Sequence, residues 1–255
     1  MSPDPYAWSA DLDGLLVVAV LAGAYAVGTR GVVVARWRVV CFGTGLALVL
    51  LTHVTPMAAI ANNYLLSVHL LQNVVVAEWA PALCVLGVPP ALAARLARPP
   101  AARVATHPAF ALPAWVAVYV AWHLPVPYEA ALEHPGTLLH LEHASYFASG
   151  VLLWWPVLQE RPHAIGAGLK AGYLFLAFVL ASPIGLLLSL LPEPVYGFYE
   201  AAPRLWGLSA LADQQIAGVT MAVEEAVVFC AACSVYFLRF LREQEREETV
   251  TSGNR

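Results

Sequence analysis

The amino-acid sequence predicts an all-α membrane protein, a bundle of seven transmembrane helices with the N-terminus outside and the C-terminus in the cytoplasm. Of its 255 residues, 60% are hydrophobic and only 12% are charged, whereas a typical soluble domain carries about 25% charged residues. Seven hydrophobic stretches each approach the roughly 20 residues that a membrane-spanning helix needs. All Lys and Arg residues except Arg204 follow the first, third, fifth and seventh stretches, which is the positive-inside pattern that sets the orientation.

The seven predicted helices are separated by polar or proline-containing loops. They cover Leu12–Thr29, Val39–Ala59, Tyr64–Val88, Pro108–Pro125, Leu141–Leu158, Ala171–Leu191 and Asp213–Leu241. The polar, acidic start lacks the basic region of a cleaved signal peptide, so the first helix is expected to be retained. The aromatic segment 192–212 is expected to lie at the outer membrane interface. Residues 1–241 therefore form one membrane domain, and the charged segment 242–255 is predicted to be a disordered cytoplasmic tail.

Several classes of function find no support in the sequence. A basic patch with interleaved aromatic residues is absent, so a nucleic-acid partner is not expected. Neither a nucleophile with a base partner nor a phosphate-binding loop is recognisable, so an enzyme is not expected. The four cysteines lie toward the cytoplasmic half, where a structural disulfide is not expected. They are interpreted as small buried hydrophobic residues, although the pair Cys230 and Cys233 could also bind Cu(I).

Histidines concentrate at the outer ends of the predicted helices. Ionisable side chains at membrane depth are costly and usually functional. His69 lies more than one turn inside the third helix and is followed by Gln72 and Asn73. His140 and His143 are spaced to share one face of the fifth helix. The six histidines at or near the outer face are His53, His69, His123, His134, His140 and His143.

A stripe of polar and soft side chains begins the seventh helix. At about 100° per residue, Asp213, Ala217, Met221 and Glu224 share one side of this helix, which is expected to face the bundle interior. Imidazole and thioether groups together suit copper, and the same imidazoles could hold haem iron. Alternatively, the histidines cap helix ends or contact lipid headgroups. The acidic pair at 224 and 225, like Glu78 in the third helix, could form a proton or cation relay or make structural hydrogen bonds.

At these residues the chain resembles the CtaG family of bacterial cytochrome c oxidase assembly proteins, over about residues 60–240. Five motifs occur in the same order as in that family. They are Ser67-Val68-His69-Leu70-Leu71-Gln72, Ala80-Pro81-Ala82-Leu83, Trp122-His123-Leu124-Pro125, His140-Leu141-Glu142-His143, and Asp213-Gln214-Gln215-Ile216-Ala217-Gly218 with Met221. One departure is Asn73, because the family usually has a second histidine directly after the glutamine of the first motif.

The resemblance implies a non-enzymatic assembly factor in the bacterial plasma membrane. Such a factor would bind copper at the outer face and assist maturation of the copper centre of a haem-copper oxidase. Its partners would be the catalytic subunit of that oxidase or another copper enzyme, an outer-face copper donor, and the lipid bilayer. The metal ligands implied are His69, His123, His140, His143, Met221 and Asp213, with His69, His123 and His143 first. Second-shell or alternative ligands are Gln72, Asn73, His53, Glu142 and Glu224.

Three other functions stay open on the sequence. A copper transporter would pass metal inward along a ladder on the seventh helix that runs from Met221 to Cys230 and Cys233. A haem-binding membrane subunit would need two imidazoles facing each other across helices. A structural subunit of a respiratory complex would bind no metal and would hold a stoichiometric partner.

Overall fold

The protein is built almost entirely of helices, as the sequence predicts. The computed structural model describes residues 3–9 and 12–253, without the side chains of residues 13 and 250–253. No β-strand occurs in these described ranges. Asp11 and the last two residues of the predicted tail lie outside the described residues.

Short helices and proline-containing turns connect seven longer helical segments. In chain order the α-helices are α1 (Leu12–Gly28), α2 (Arg36–Val54), α3 (Pro56–Asn63), α4 (Leu66–Val74), α5 (Ala80–Gly87), α6 (Pro90–Leu96), α7 (Pro100–Ala105), α8 (Pro108–His123), α9 (Pro125–Glu133), α10 (His140–Leu158), α11 (Ala167–Leu190), α12 (Gly197–Ala201) and α13 (Ala210–Gly253). Two π-helical segments, Val75–Trp79 and Pro135–Leu139, join α4 to α5 and lead into α10.

The seven long segments lie at the seven predicted positions. Four of them are long and apolar enough to cross a membrane, namely Arg36–Val54, Leu66–Gly87, Ala167–Leu190 and Ala210–Thr249. The pair α8 and α9, bent by 71° at His123, becomes a fifth candidate if both helices belong to one span. Among the described residues the structure thus has four or five candidate spans, and seven spans remain a prediction.

Proline determines one boundary that the sequence prediction placed wrongly. The predicted second helix runs unbroken to Ala59, whereas α2 ends at Val54 and α3 begins at Pro56. Proline has no N–H to donate and its ring clashes with the preceding turn, so a new helix starts there. The hydroxyl of Thr55 accepts a hydrogen bond from the Met57 N–H at 3.3 Å and caps α3.

The charged C-terminal segment also differs from its prediction. We predicted a disordered tail from residue 242, but α13 continues without a break to Gly253. Glu, Arg and Gln are all good helix formers, and the segment adds them directly to an existing helix. No costly new nucleus is therefore needed to extend the helix.

Close helix contacts at glycine fix the middle of the bundle. A Cβ built on Gly150 of α10 would lie 2.0 Å from the carbonyl oxygen of Ala77 in the first π-helical segment. A Cβ built on Gly218 of α13 would lie 2.5 Å from the carbonyl oxygen of Gly185 in α11. Around these contacts the core contains large buried side chains, including Trp115, Tyr128, Tyr146, Leu153 and Phe229. The polar residues described below lie within this packing.

Candidate functional site

Three histidines from three helices meet inside the bundle. His53 near the end of α2 lies beside His143 of α10, with ring centroids 5.0 Å apart. His143 in turn lies 6.2 Å from the ring of His69 on α4. His69 is fully buried and His143 is 5% exposed. We call His53, His69 and His143 the histidine cluster.

A buried carboxylate links α10 to α4 beside the histidine cluster. Oε1 of Glu142 accepts a hydrogen bond from Nδ2 of Asn73 at 2.8 Å and lies 3.5 Å from Nε2 of His69. His69 and Asn73 are four residues apart on one helix, so both face the same neighbour. Glu142 precedes His143 directly, so one turn of α10 supplies both groups. Asn73 thus serves as a hydrogen-bond donor to Glu142.

Several polar atoms in this region have no hydrogen-bond partner among the described residues. They are Nδ1 of His69, both ring nitrogens of His143, Nε2 of His123, Oε2 of Glu142 and Oδ1 of Asn73. An unsatisfied buried polar group costs about 1–3 kcal/mol, and folded proteins rarely leave several such groups together. Their concentration indicates a place where water or a bound ion supplies the partners.

Two cavities lie against the histidine cluster, at His53 and His143. His53, His140 and His143 line both of them. The larger cavity, about 390 Å³, is otherwise apolar, with Val17 and Phe147 in its wall. The smaller one, about 270 Å³, has a more polar wall that includes Gln72 and Asn62 among others. His140 and His143 thus share one face of α10, as their spacing predicts.

His123 is held apart from the histidine cluster. Its Nδ1 lies 2.7 Å from the carbonyl oxygen of Tyr119 and 3.3 Å from the hydroxyl of Tyr146. The hydroxyl of Tyr196 donates to the carbonyl oxygen of His123 at 2.9 Å. With Met221, His123 lines a separate small cavity. These two predicted ligands are therefore near one another, but they do not line the cavities that reach the histidine cluster.

Asp213 forms a helix cap in the structure. Its carboxylate accepts hydrogen bonds from the N–H of Leu66 at 2.6 Å, the N–H of Ser67 at 3.1 Å and the hydroxyl of Ser67 at 2.5 Å. These N–H groups belong to the first turn of α4, which has no partners within its own helix. A negative charge is also favourable at a helix N-terminus. All of the hydrogen bonds seen at Asp213 are therefore explained by capping.

The remaining predicted residues also have structural partners. Gln72 donates from Nε2 to the carbonyl oxygen of Thr52 at 2.9 Å and so ties α4 to α2. Glu224 accepts a hydrogen bond from the indole N–H of Trp79. Asp213, Ala217, Met221 and Glu224 are all buried, which confirms that their shared stripe faces the interior.

Tyrosines surround the histidine cluster, and the sequence prediction missed their role. The ring of Tyr128 lies 5.2 Å from the ring of His69, and the ring of Tyr199 lies 6.3 Å from it. Tyr196 stacks on Tyr128 at 4.1 Å. Burial, and then the Glu142 carboxylate, raise the pKa of Tyr196 and of Tyr199. Both phenols therefore stay protonated beside the site.

The aromatic residues of segment 192–212 differ in their exposure. Tyr196 and Tyr199 are buried within the protein, whereas Trp206 is 60% exposed, and the position of this segment at the membrane interface stays a prediction. The hydroxyl of Tyr199 donates to the carbonyl oxygen of Ala61 at 2.6 Å, which anchors the segment to α3. The density of tyrosine in this stretch was the signal available in the sequence.

The described side chains do not form a ready-made metal centre. Among the residues that the structure describes, no group of three or more His, Cys, Asp or Glu side chains is arranged to hold a metal ion. Nδ1 of His53 lies 2.8 Å from the carbonyl oxygen of Val49 and 3.0 Å from the hydroxyl of Thr52. Nδ1 of His53 is therefore engaged by other groups, whereas Nδ1 of His69 and both ring nitrogens of His143 have no partner among the described residues.

Comparison with known families gives one match. The family model of the cytochrome c oxidase caa3 assembly factor, Caa3_CtaG, matches residues 18–243, nearly the whole chain. No curated protein and no solved structure gives a significant match.

Proposed function

Because this chain belongs to the family of cytochrome c oxidase caa3 assembly factors, we propose that it is a non-catalytic factor that carries copper for a haem-copper oxidase. Copper is its cargo, held at the histidine cluster in the outer half of the membrane. The receiving partner is the catalytic subunit of the oxidase, and a copper donor at the outer face supplies the ion.

The approach of His53, His69 and His143 is the observation that supports copper binding best. Metal–imidazole bonds of about 2.0–2.1 Å place the ring centroids of two ligands roughly 5–6 Å apart. The separation of 5.0 Å between His53 and His143 falls in this range, and that of 6.2 Å between His143 and His69 lies just above it. Imidazole serves copper in either oxidation state, and the unpartnered nitrogens of His69 and His143 supply lone pairs. A small rotation of the rings would complete the ligand set.

Neighbouring groups define how the imidazoles would bind. A bond from Nδ1–H of His53 to the Val49 carbonyl leaves Nε2 free as the ligand atom. Glu142 lies beside Nε2 of His69, so Nδ1 of His69 is the free donor atom. Such outer partners commonly orient metal-binding histidines. His53 thereby supplies the imidazole that Asn73 does not.

The orientation of the chain follows from its charges. We propose seven transmembrane segments in a bacterial plasma membrane, with the N-terminus outside and the C-terminus inside. His53 is near the end of α2, whereas His69 and His143 are near the starts of α4 and α10. Alternating helix directions bring these three positions to one end of the bundle. Arg30 and the other inner basic residues follow the opposite ends, which places the histidines outside.

Copper affinity measured on variants tests this proposal. Purified protein would be titrated with Cu(I) in competition with a chromophoric chelator. We expect about one copper per chain, and at least a tenfold loss of affinity in His69→Ala and in His143→Ala. His134→Ala is the matched control, since His134 is exposed and its ring bonds only to the Ala130 carbonyl among the described residues. Wild-type protein that binds no copper, or variants that keep full affinity, would remove the histidine cluster as a copper site.

Cell-based measurement separates copper delivery from simple scaffolding. In cells lacking this protein, the copper content of the purified oxidase would be compared after complementation with wild type, His143→Ala or His134→Ala. Copper delivery predicts oxidase that lacks copper only with His143→Ala. Equal copper content with both variants would indicate a metal-free structural role.

The transporter and haem alternatives fit the described residues less well. Cys230 is exposed on the surface of α13, and Sγ of Cys233 lies 3.5 Å from the Ala171 carbonyl, so neither continues a polar path inward. A haem group would have to pass between two rings, but His69 is closed in by Tyr128 and Glu142. Copper uptake that depends on both cysteines, or a Soret band in the purified protein, would reverse this preference.

A further inference from the structure

Three glutamates meet in the interior, away from the histidine cluster. Glu78 lies in the π-helical segment Val75–Trp79, near the middle of the candidate span Leu66–Gly87. Glu224 and Glu225 lie on α13, and Glu78 lines the same small cavity as Tyr119, whose hydroxyl bonds Glu225. The three side chains are only 1%, 8% and 0% exposed. We call Glu78, Glu224 and Glu225 the glutamate cluster.

Neutral donors satisfy only part of the glutamate cluster. The indole N–H of Trp79 donates to Oε1 of Glu224, and the hydroxyl of Tyr119 donates to Oε1 of Glu225 at 2.5 Å. The Oε2 atoms of all three glutamates have no partner among the described residues.

Charge makes it unfavourable for all three groups to ionise. The ion pairs found within the described residues, His69 with Glu142 and Lys170 with Glu160, do not include any member of the glutamate cluster. An ionised carboxylate is costly to bury without a partner, and like charges in one buried site favour the protonated form.

A small cavity beside Glu78 is a second observation that points to a binding site here. A cavity of about 10 Å³, roughly the space of one water molecule, is lined by Glu78, Tyr119, Tyr146, Asn73 and His123 among others. His123 is 8% exposed, and its Nε2 has no partner among the described residues. The cavity thus offers polar contacts between the glutamate cluster and the Asn73–Glu142 pair. π-Helical segments such as the one that carries Glu78 also occur frequently at functional sites.

We propose that Glu78, Glu224 and Glu225 form a proton-binding site, in which the three carboxyl groups together hold at least one proton at neutral pH. The polar groups that face this site come from four elements: Asn73 from α4, Trp79 from the π-helical segment, Tyr119 and His123 from α8, and Tyr146 from α10.

Infrared spectroscopy of the full-length protein tests the proposal. We expect the carbonyl stretch of a protonated carboxyl group at neutral pH, shifted in D₂O, and lost or halved in Glu78→Gln and in Glu225→Gln. Glu133→Gln is the control, because Glu133 is exposed and lies in α9. Absence of the band, or the same band in all variants, would overturn the proposal. A metal ion lost from the Gln variants in elemental analysis would overturn it too.

Folding and copper binding are measured separately. Glutamine keeps an acceptor for Trp79 and Tyr119, so the Gln variants should fold. If one does not, Tyr119→Phe removes the donor to Glu225 and should move the band while all three carboxyl groups remain. An unmoved band in Tyr119→Phe would count against the site. Copper affinity is expected to be unchanged in Glu225→Gln, so failure of this proposal and failure of the copper proposal give different results.

Discussion

Replacing Asp213 by alanine should destabilise the fold and leave the copper site intact. The substitution removes the acceptor for two backbone N–H groups, the buried one of Leu66 and the partly buried one of Ser67. Each unsatisfied buried donor costs about 1–3 kcal/mol, and loss of a helix N-cap alone costs about 0.5–2 kcal/mol. Because these figures partly overlap, we expect a loss of about 3 kcal/mol in the free energy of unfolding.

Thermal and denaturant unfolding of the detergent-solubilised protein would measure this loss. Two variants calibrate the result. Asp213→Asn keeps one acceptor but loses the charge, so its loss should be about half as large. Ser67→Ala removes only the hydroxyl bond to Asp213 and should cost about 1 kcal/mol. The copper affinity of each variant would be measured under the same conditions.

A particular pattern would refute the capping argument. If Asp213→Ala unfolded at the same denaturant concentration as wild type but bound copper at least tenfold more weakly, Asp213 would act on the metal site as the resemblance implied. Equal losses for Asp213→Ala and Ser67→Ala would also contradict it, since the backbone donors would then contribute nothing.

Three further predictions address packing, the buried carboxylate and topology. Gly150→Ala should lower the free energy of unfolding by about 3 kcal/mol through overpacking. Gly172→Ala should leave it unchanged or raise it slightly, because nothing lies within 4 Å of the new Cβ. Equal unfolding midpoints for the two variants would be inconsistent with the helix contact at Gly150. Glu142→Leu should lower the free energy of unfolding by about 2–3 kcal/mol, because it leaves the buried side-chain amide of Asn73 without an acceptor. Glu142→Gln should lower it less in the same unfolding assay. In a cysteine-free background, Val126→Cys should react with a membrane-impermeant reagent on intact cells and Val33→Cys should not; the reverse labelling would invert the orientation.

The helical segments were predictable because the bilayer constrains them strongly. A membrane leaves only helices or closed barrels as spanning structures, so apolar length and charge placement located all seven long segments. Departures from these regular helices depend on contacts between helices, which the sequence does not reveal. The π-helical segment at Val75–Trp79 and the close approach at Gly150 were not foreseen, although the break at Pro56 carried a readable signal.

The sequence identified the types of residue at the site, but it showed less well which of them lie together. Spacing along one helix put His140 and His143 on one face, and the structure agrees. Contacts between helices decided the rest. His53 lies beside His143 only because α2 and α10 are neighbours. Asp213 faces the interior as its stripe predicted, but its partner is the start of α4, and nothing in the sequence indicates that α13 contacts α4 at this point.

The Asp213 helix cap and the Trp79–Glu224 hydrogen bond both depend on the pairing of α13 with the Leu66–Gly87 span. Asp213 and Glu224 are 11 residues apart on α13, and their contacts on the opposite span, Ser67 and Trp79, are 12 residues apart. At 1.5 Å per residue these lengths are roughly 16–18 Å, so α13 and the Leu66–Gly87 span run parallel and meet at two polar points. A sliding shift of α13 would break both contacts at once. This register places His69 and Asn73 opposite α10 and, on the same span, brings Glu78 to Glu224. The interface between α13 and the Leu66–Gly87 span therefore holds both the start of α4 and Glu224 in place.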